Sequence, residues 1–405
     1  MARKIDSASI PKEWKYDLLD KFAIRCSGHT PSQSFPEYWN GGIKWISLAD
    51  SNRLDNGYIF NTSKEISEDG VKNSSAVLLP AETVVLSRDA GIGKSAVMYE
   101  PMAVSQHFIA WKCDNSHKIN SWFLYNWLQL NKTEFERQAV GSTIKTIGLP
   151  YFKKLKIALP PYQEQEKIAQ ILSTWDQAIS ATEKLLENSQ QQKKALMQEL
   201  LTGKKRLLDE NGVKFIKPWD ICELKDIAQI IMGSSPKSEF YNDLGHGLPL
   251  IQGNADIKNR YSNPRIYTSE ITKECINEDV LLSVRAPVGT VARSKHHACI
   301  GRGIAAIRAK LNVSQSFLYH LMIWKEPKWA NFSQGSTFES INSDDIKSLK
   351  LLVPTLEEQK KIGRVLYLAD QEIETLQKKL DCLKQEKKAL MQQLLTGKKR
   401  VKVAA

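Results

Sequence analysis

The sequence predicts an α/β (α+β) protein. It should hold two mixed α/β domains, each followed by a long helix, with the helices forming an antiparallel coiled coil under pseudo-two-fold symmetry. Three observations lead there. The segment from Pro160 to Arg206 returns from Pro354 to Arg400 at a constant offset of 194, without a gap and with 25 of 47 positions identical. Fixed spacing of this kind marks duplicated structural units. Each copy carries apolar residues at alternating four- and three-residue steps, the period of a coiled-coil seam. Ahead of each copy lie short runs of β-formers bounded by Pro, Gly and Asn.

The globular parts repeat with a drifting offset. Trp14, Leu19, Phe22, Gly28 and Pro31 match Trp219, Leu224, Ile227, Gly233 and Pro236 at 205. Leu86-Ser87 faces Leu282-Ser283 at 196, and Phe123-Leu124-Tyr125 faces Phe317-Leu318-Tyr319 at 194. The domains expected are therefore 1–158, a helix over 159–206, 207–352, and a second helix over 353–405. Flanks of the globular copies match while their interiors diverge. That is the pattern of a kept scaffold with a changed surface, although loop drift is the commoner cause of such divergence.

Within the globular copies, Ala76-Val77-Leu78-Leu79 and Thr83-Val84-Val85-Leu86-Ser87 read as strands. Asn211-Gly212 reads as a type I′ hairpin turn. Trp122 to Leu130 and Phe317 to Trp324 read as short helices.

In the first long helix the seam runs Ile168, Leu172, Trp175, Ile179, Thr182, Leu186, Ser189, Lys193, Leu196, Leu200. In the second it runs Ile362, Leu366, Ala369, Ile373, Leu376, Leu380, Leu383, Lys387, Leu390, Leu394. An unpaired seam of this length would be costly in water, so each helix needs a partner. The simplest partner is the other helix; the alternative is a second chain. Pairing Ile168 with Leu394 sets Lys193 opposite Ala369 and Lys387 opposite Trp175, whose ring could take the ammonium as a cation–π partner. Alternatively both lysines snorkel to water. Thr355 with Glu358 suggests a capping box. Gly203 and Gly397 suggest left-handed C′ residues, with the following KKR suited to the negative helix end.

Composition is that of an ordinary globular protein, 42% hydrophobic and 25% charged. The net charge of +12 favours a polyanionic partner. No apolar run is long enough to span a bilayer and the first residues are no signal peptide, so no membrane partner is expected. Six scattered cysteines without CxxC spacing argue against structural zinc and a disulfide framework, and suit a reducing cytosol.

Catalytic patterns are incomplete. Gly93-Lys94-Ser95 would need a glycine at position 88 to complete a phosphate-binding loop, and Arg88 stands there. The second copy has Gly289-Thr290-Val291, without a lysine. Asn263-Pro264-Arg265-Ile266 lacks the second proline and the aromatic residue of an adenine-methyltransferase tetrapeptide. His296-His297 is the only histidine pair, and it reads as a surface turn.

Each globular copy begins with a Gly-x-(Thr/Ser)-Pro-(Ser/Lys) turn, Gly28 to Ser32 and Gly233 to Lys237. The first leads into PEYWNGGIKWIS, Pro36 to Ser47. The helices open with LPPYQEQEKIAQIL from Leu159 and VPTLEEQKKIGRVL from Val353, each preceded by Gly-Ser-Thr, at 141–143 and 335–337. In this combination and order the chain closely resembles the specificity (S) subunit of Type I restriction–modification systems. It departs from that pattern at Asn242 to Gly247, where the second copy lacks the Trp-Asn-Gly-Gly stretch.

The resemblance implies a subunit without catalysis of its own. Its two target recognition domains would each read half of an asymmetric bipartite site in double-stranded DNA, with the coiled coil fixing the gap. It also implies recruitment of two modification (methyltransferase) subunits, and of restriction subunits through them. No cofactor is then expected on this chain; S-adenosylmethionine, ATP and Mg would belong to the partners, and the compartment would be a bacterial or archaeal cytoplasm. Candidate DNA contacts are Thr30, Ser32, Ser47, Arg88, Lys94, Ser142, Thr143, Ser235, Lys237, Gln252, Arg285, Arg293, Ser336 and Thr337. For the arginines and Lys94 a solvated surface charge is the plainer alternative. A coiled-coil adaptor that binds no DNA is the alternative for the whole chain.

Overall fold

A computed structural model of the chain describes residues 10–113, 117–141, 145–333 and 340–402, the side chains of 330–333 excepted. It divides into two compact units. The first joins residues up to Glu183 with those from Lys379 onward, and the second runs from Lys184 to Lys378. Each unit thus holds one globular part, the start of its own long helix and the end of the other.

In the first unit a five-stranded sheet runs in the order Ile24–Ser27, Phe108–Lys112, Val84–Ser87, Ser95–Met98, Tyr58–Ile59. A three-stranded sheet sets Trp39–Ile46 between Lys64–Ile66 and Ala103–Val104. In the second unit the corresponding larger sheet begins Ala228–Met232, Ile304–Ala309, Val280–Ser283, Val291–Arg293. Its companion sheet centres on Leu248–Ile251. The central strands Val84–Ser87 and Val280–Ser283 are wholly buried. As expected of strands covered on both faces, they are continuous apolar runs rather than alternating ones.

Two local expectations need correction. Ala76 to Leu79 forms no strand: only Leu79 bridges, to Met102, and Val77 and Leu78 are exposed. Pro80 follows at once and has no N–H for a ladder. The Asn211-Gly212 turn is not type I′, because only Gly212 takes positive φ. The Gly212 amide donates to Asp209 O and the Asp209 amide to Val213 O, which is a type I turn closed by a left-handed glycine.

The long helices span Tyr162–Leu200 and Leu356–Leu394, 39 residues each. Their segments pair antiparallel inside each unit. In the first, Asp176 meets Lys387 and Glu183 meets Lys384. In the second, Ser189 meets Glu372 and Lys193 meets Asp370. All twenty seam positions are buried or half-buried.

Lys387 ends on the Asp176 carboxylate rather than over the Trp175 ring, and Lys193 ends on Asp370. A full negative charge within hydrogen-bond reach outcompetes a ring quadrupole. Asp370 also accepts from His320 Nε2 at 2.9 Å. Burial alone would raise the Asp370 carboxyl, but the His320 hydrogen bond and the Lys193 charge hold it below its ordinary range.

Each unit is closed by one repeated clasp. In the second, Arg206 forks onto both oxygens of fully buried Glu358 at 2.7 Å, and the Trp219 indole donates to the same carboxylate at 3.2 Å. In the first, Arg400 forks onto Glu164 at 2.7 Å, with Trp14 packed beside Gly397. Gly203 and Gly397 take φ of +71° and +75°, turning the chain so that these arginines reach back. The basic tail therefore serves a carboxylate more than the helix dipole. The capping box is lost for the same reason: Glu358 is committed to Arg206, and Thr355 Oγ1 is buried without a hydrogen-bond partner.

Candidate nucleic-acid interface

In each unit the turn that opens the globular part docks onto the turn that leads into a buried strand. Gly28 lies so close to the backbone that a Cβ there would come within 2.0 Å of Val104 O. At Gly233 it would come within 2.1 Å of Gly301 O. Glycine is required at both places by space. The docking brings Thr30 onto Gln106 Oε1 in the first unit. In the second, Ser235 Oγ accepts from the Arg302 amide at 3.2 Å. Gln106 and Arg302 are equivalent at offset 196, and both side chains are exposed.

Strand register defines what lies beside them. Val280 to Ser283 pairs antiparallel with Ile304 to Ile307, and the Val284 amide continues the ladder onto Gly303 O at 2.9 Å. One residue on, Arg285 bridges to Ser340, at the same end of the sheet as Arg302. In the first unit, Val84 to Ser87 pairs with Phe108 to Trp111, and the Arg88 amide donates to His107 O at 3.0 Å. There Asp89 falls across from Gln106.

The chemistry at these matching strand ends is opposite. Asp89 takes Thr146 Oγ1 and, at 2.5 Å, His107 Nδ1, so the first tip is an internally bonded acid beside an amide. At the second tip Arg285 and Arg302 are both exposed. Of the described arginines, Arg285, Arg302 and Arg364 alone make no side-chain hydrogen bond, ion pair or ring contact with a described residue. Neither Arg285 nor Arg302 meets a carboxylate among the described residues.

The remaining candidates differ in exposure and in partners. Ser32 and Lys237 are exposed. The Lys237 amide donates to Glu270 at 2.7 Å while its ammonium lies 3.8 Å from Glu239. Gln252 is half-buried beneath the second tip, its amide donating to the Tyr241 hydroxyl at 2.8 Å.

Arg88 is partly covered and directed at Thr146, 3.4 Å away, and at Asp89. Lys94 is tied to Ser51 O at 2.8 Å, closing the Gly91–Gly93 turn between two strands. The amides of that loop serve the loop itself: Gly93 N donates to Ser87 O and Lys94 N to Gly91 O.

Ser47 and Arg293 are corrected as contacts. Ser47 is buried and exchanges hydrogen bonds with Asp50 in a capping box. Arg293 is 6% exposed, paired with Glu278 at 3.2 Å and stacked 4.2 Å from the Tyr319 ring. Ser142, Thr143, Ser336 and Thr337 lie outside the described residues.

Gln106 and Arg302 were not among the sequence candidates. The signal that could have found Arg302 is Gly301-Arg302-Gly303, a side chain flanked by two residues without Cβ. A Cβ at Gly303 would come within 2.3 Å of Gln252 O, so this turn is pressed onto the Gln252 backbone.

Two open grooves adjoin these features. One of about 610 Å³ in the second unit is lined by Arg293, Lys295, Lys360 and Arg364 against Glu278 and Glu374. One of about 570 Å³ in the first unit is lined by Lys94, Lys132 and Lys145 against Glu136. Among the described residues no cluster of His, Cys, Asp and Glu could hold a metal ion, and no helix is long and apolar enough to cross a membrane.

The comparisons with known proteins agree with one another. A type I restriction enzyme specificity subunit of Methanocaldococcus jannaschii, MjaX, is 31% identical over 99% of this chain and 97% of its own length. The EcoR124I/EcoR124II specificity subunit of Escherichia coli is 28% identical over 40% of this chain and 41% of its own. The solved S subunit from M. genitalium superposes with a TM-score of 0.64 at 16% identity, covering 97% of this chain and 98% of that one. A chain from a structure of type I complex assembly and conformational transition gives 0.59 at 22%, covering 96% and 99%. The model of the Type I restriction modification DNA specificity domain matches twice, over residues 11–189 and 216–385. With two such domains spanning most of its length, the chain belongs to the Type I restriction–modification DNA specificity family.

Proposed function

We propose that each unit reads one half of an asymmetric bipartite site in double-stranded DNA, and that the paired helices fix the gap between the halves. The observation that carries this reading is the contrast at the two strand ends. One scaffold, repeated down to its glycines and clasp, presents Gln106 and an internally bonded Asp89 at one strand end and exposed Arg285 and Arg302 at the other. Duplicated frames with different displayed chemistry suit two different half-sites, whereas the palindrome of a homodimer needs identical heads.

In this reading the chain is the recognition part of a larger assembly. It recruits two modification subunits, which methylate adenine with S-adenosylmethionine, and through them restriction subunits that use ATP and Mg. It works in the cytoplasm of a bacterium or archaeon.

The test is DNA binding by the chain assembled with its modification subunits. Affinity should fall steeply as salt rises, with log K linear in log salt because phosphate contacts release counterions. The chain alone should turn over neither ATP, DNA nor S-adenosylmethionine. Salt-independent binding, or turnover by the pure chain that disappears in Lys94→Ala, contradicts the reading.

A further inference from the structure

The Gly301-Arg302-Gly303 turn has a rigid frame and an unpartnered head. Its backbone is held from several sides: Gly301 N donates to Ile251 O at 2.8 Å, Ile304 N to Gly301 O at 3.0 Å, and Val284 N to Gly303 O at 2.9 Å. Ser235 takes the Arg302 amide. The exposed guanidinium has five donors in a fixed fork and no described partner. Its counterpart Gln106 is likewise exposed, on a turn closed by the Phe108 amide on Ser105 O at 3.1 Å; Thr30 donates to its Oε1, which keeps a second lone pair, and its Nε2 has no partner among the described residues. With the backbone beneath each head already held, binding has only the side chain to order. That is the preorganisation a base-reading contact requires.

We infer that Arg302 and Gln106 are equivalent specificity-determining residues, Arg302 taking a guanine edge in one half-site and Gln106 an adenine edge in the other. The chemistry separates the two bases. A guanidinium offers two parallel donors to guanine O6 and N7, and a carboxamide offers one donor and one acceptor to adenine N6 and N7. Arg285, exposed at the same end of the sheet, carries a second positive charge to the same region. The inference rests on reading each unit as a half-site reader.

The experiment determines the methylated site and its single-base variants for the assembled complex carrying wild-type chain, Arg302→Lys, Arg302→Ala or Gln106→Arg. Both replaced residues stand at exposed positions, and thermal melting of each chain checks that it folds as wild type does. With wild-type chain, one base pair of one half-site should discriminate guanine. In Arg302→Ala that discrimination should fall by roughly 5- to 150-fold, with the other half-site unchanged. Arg302→Lys should lose most of it as well, because an ammonium keeps the charge without the fork. Gln106→Arg should shift one position of the other half-site towards guanine.

The inference is overturned if Arg302→Ala weakens binding uniformly across sequences with a shallower salt slope, which is the behaviour of a phosphate contact. It is also overturned if Arg302→Lys keeps full discrimination. If the wild-type complex has no bipartite site at all, it is the half-site reading itself that fails.

Discussion

Replacing Glu358 by alanine should destabilise the protein by about 3–5 kcal/mol, because it strips the buried partner from Arg206 and leaves that charge half-covered. Glu358 is fully buried, while the Arg206 side chain is 16% exposed, and the Trp219 indole loses its acceptor in the same step. The effect should show in denaturant unfolding as a lower midpoint. Glu164→Ala, the matching change in the first unit, should cost less. There Arg400 is 38% exposed and keeps Glu13, so water and a second carboxylate compensate.

A double variant, Glu358→Ala with Arg206→Leu, should recover part of the loss, since removing both charges leaves nothing uncompensated. A Glu358→Ala chain within half a kcal/mol of wild type would show that the clasp contributes little, as exposed ion pairs do.

A matched insertion of seven residues in each helix, after Leu186 and after Leu376, should widen the gap between half-sites by about three base pairs. Seven residues add ~10.5 Å at ~1.5 Å per residue, and DNA rises ~3.4 Å per base pair. Insertion in one helix alone would not serve. Contacts lie on both sides of Leu186, Glu183 with Lys384 before it and Lys193 with Asp370 after it, so a one-sided insertion must bulge or break one set. Seven residues also preserve the seam, whereas four would shift it out of register. Both half-sites should stay as they were. A folded, active variant that keeps the original gap would show that these helices do not set the spacing.

The helices were legible in the sequence because their signal is local. A 3.5-residue period sustained over ten positions leaves little choice of partner face, and the gap-free repeat relates the two copies residue by residue. Lys193 and Lys387 could be placed by the same arithmetic. Their partners could not, because a one-residue offset decides between Trp175 and Asp176, and between Ala369 and Asp370.

The candidate site was much less legible. Arg285 and Arg293 lie eight residues apart in the same diverged stretch, and sequence alone treats them alike. Arg293 is buried by Tyr319 and Glu278, and Arg285 is exposed at a strand end. Arg302 gains its meaning only through the ladder that brings its turn to the same end of the sheet as Arg285. That register belongs to the sheet, not to either segment. Ser47 was misjudged for a similar reason: a serine before Leu48-Ala49-Asp50 is a helix cap first, and the cap consumes its hydroxyl.

The central claim, that the two globular parts read different half-sites independently, is tested most directly by exchanging one of them. Residues 220–353 would be replaced by the corresponding segment of a relative, and methylated adenines mapped across the genome of cells carrying the chimera with its modification subunits. Both junctions fall at the edges of a two-stranded ladder, Asp220–Glu223 with Lys350–Val353, which travels intact with the segment. The account predicts a bipartite motif in which one half changes, while the other half and the gap remain those of the wild type. A motif whose two halves change together would contradict it.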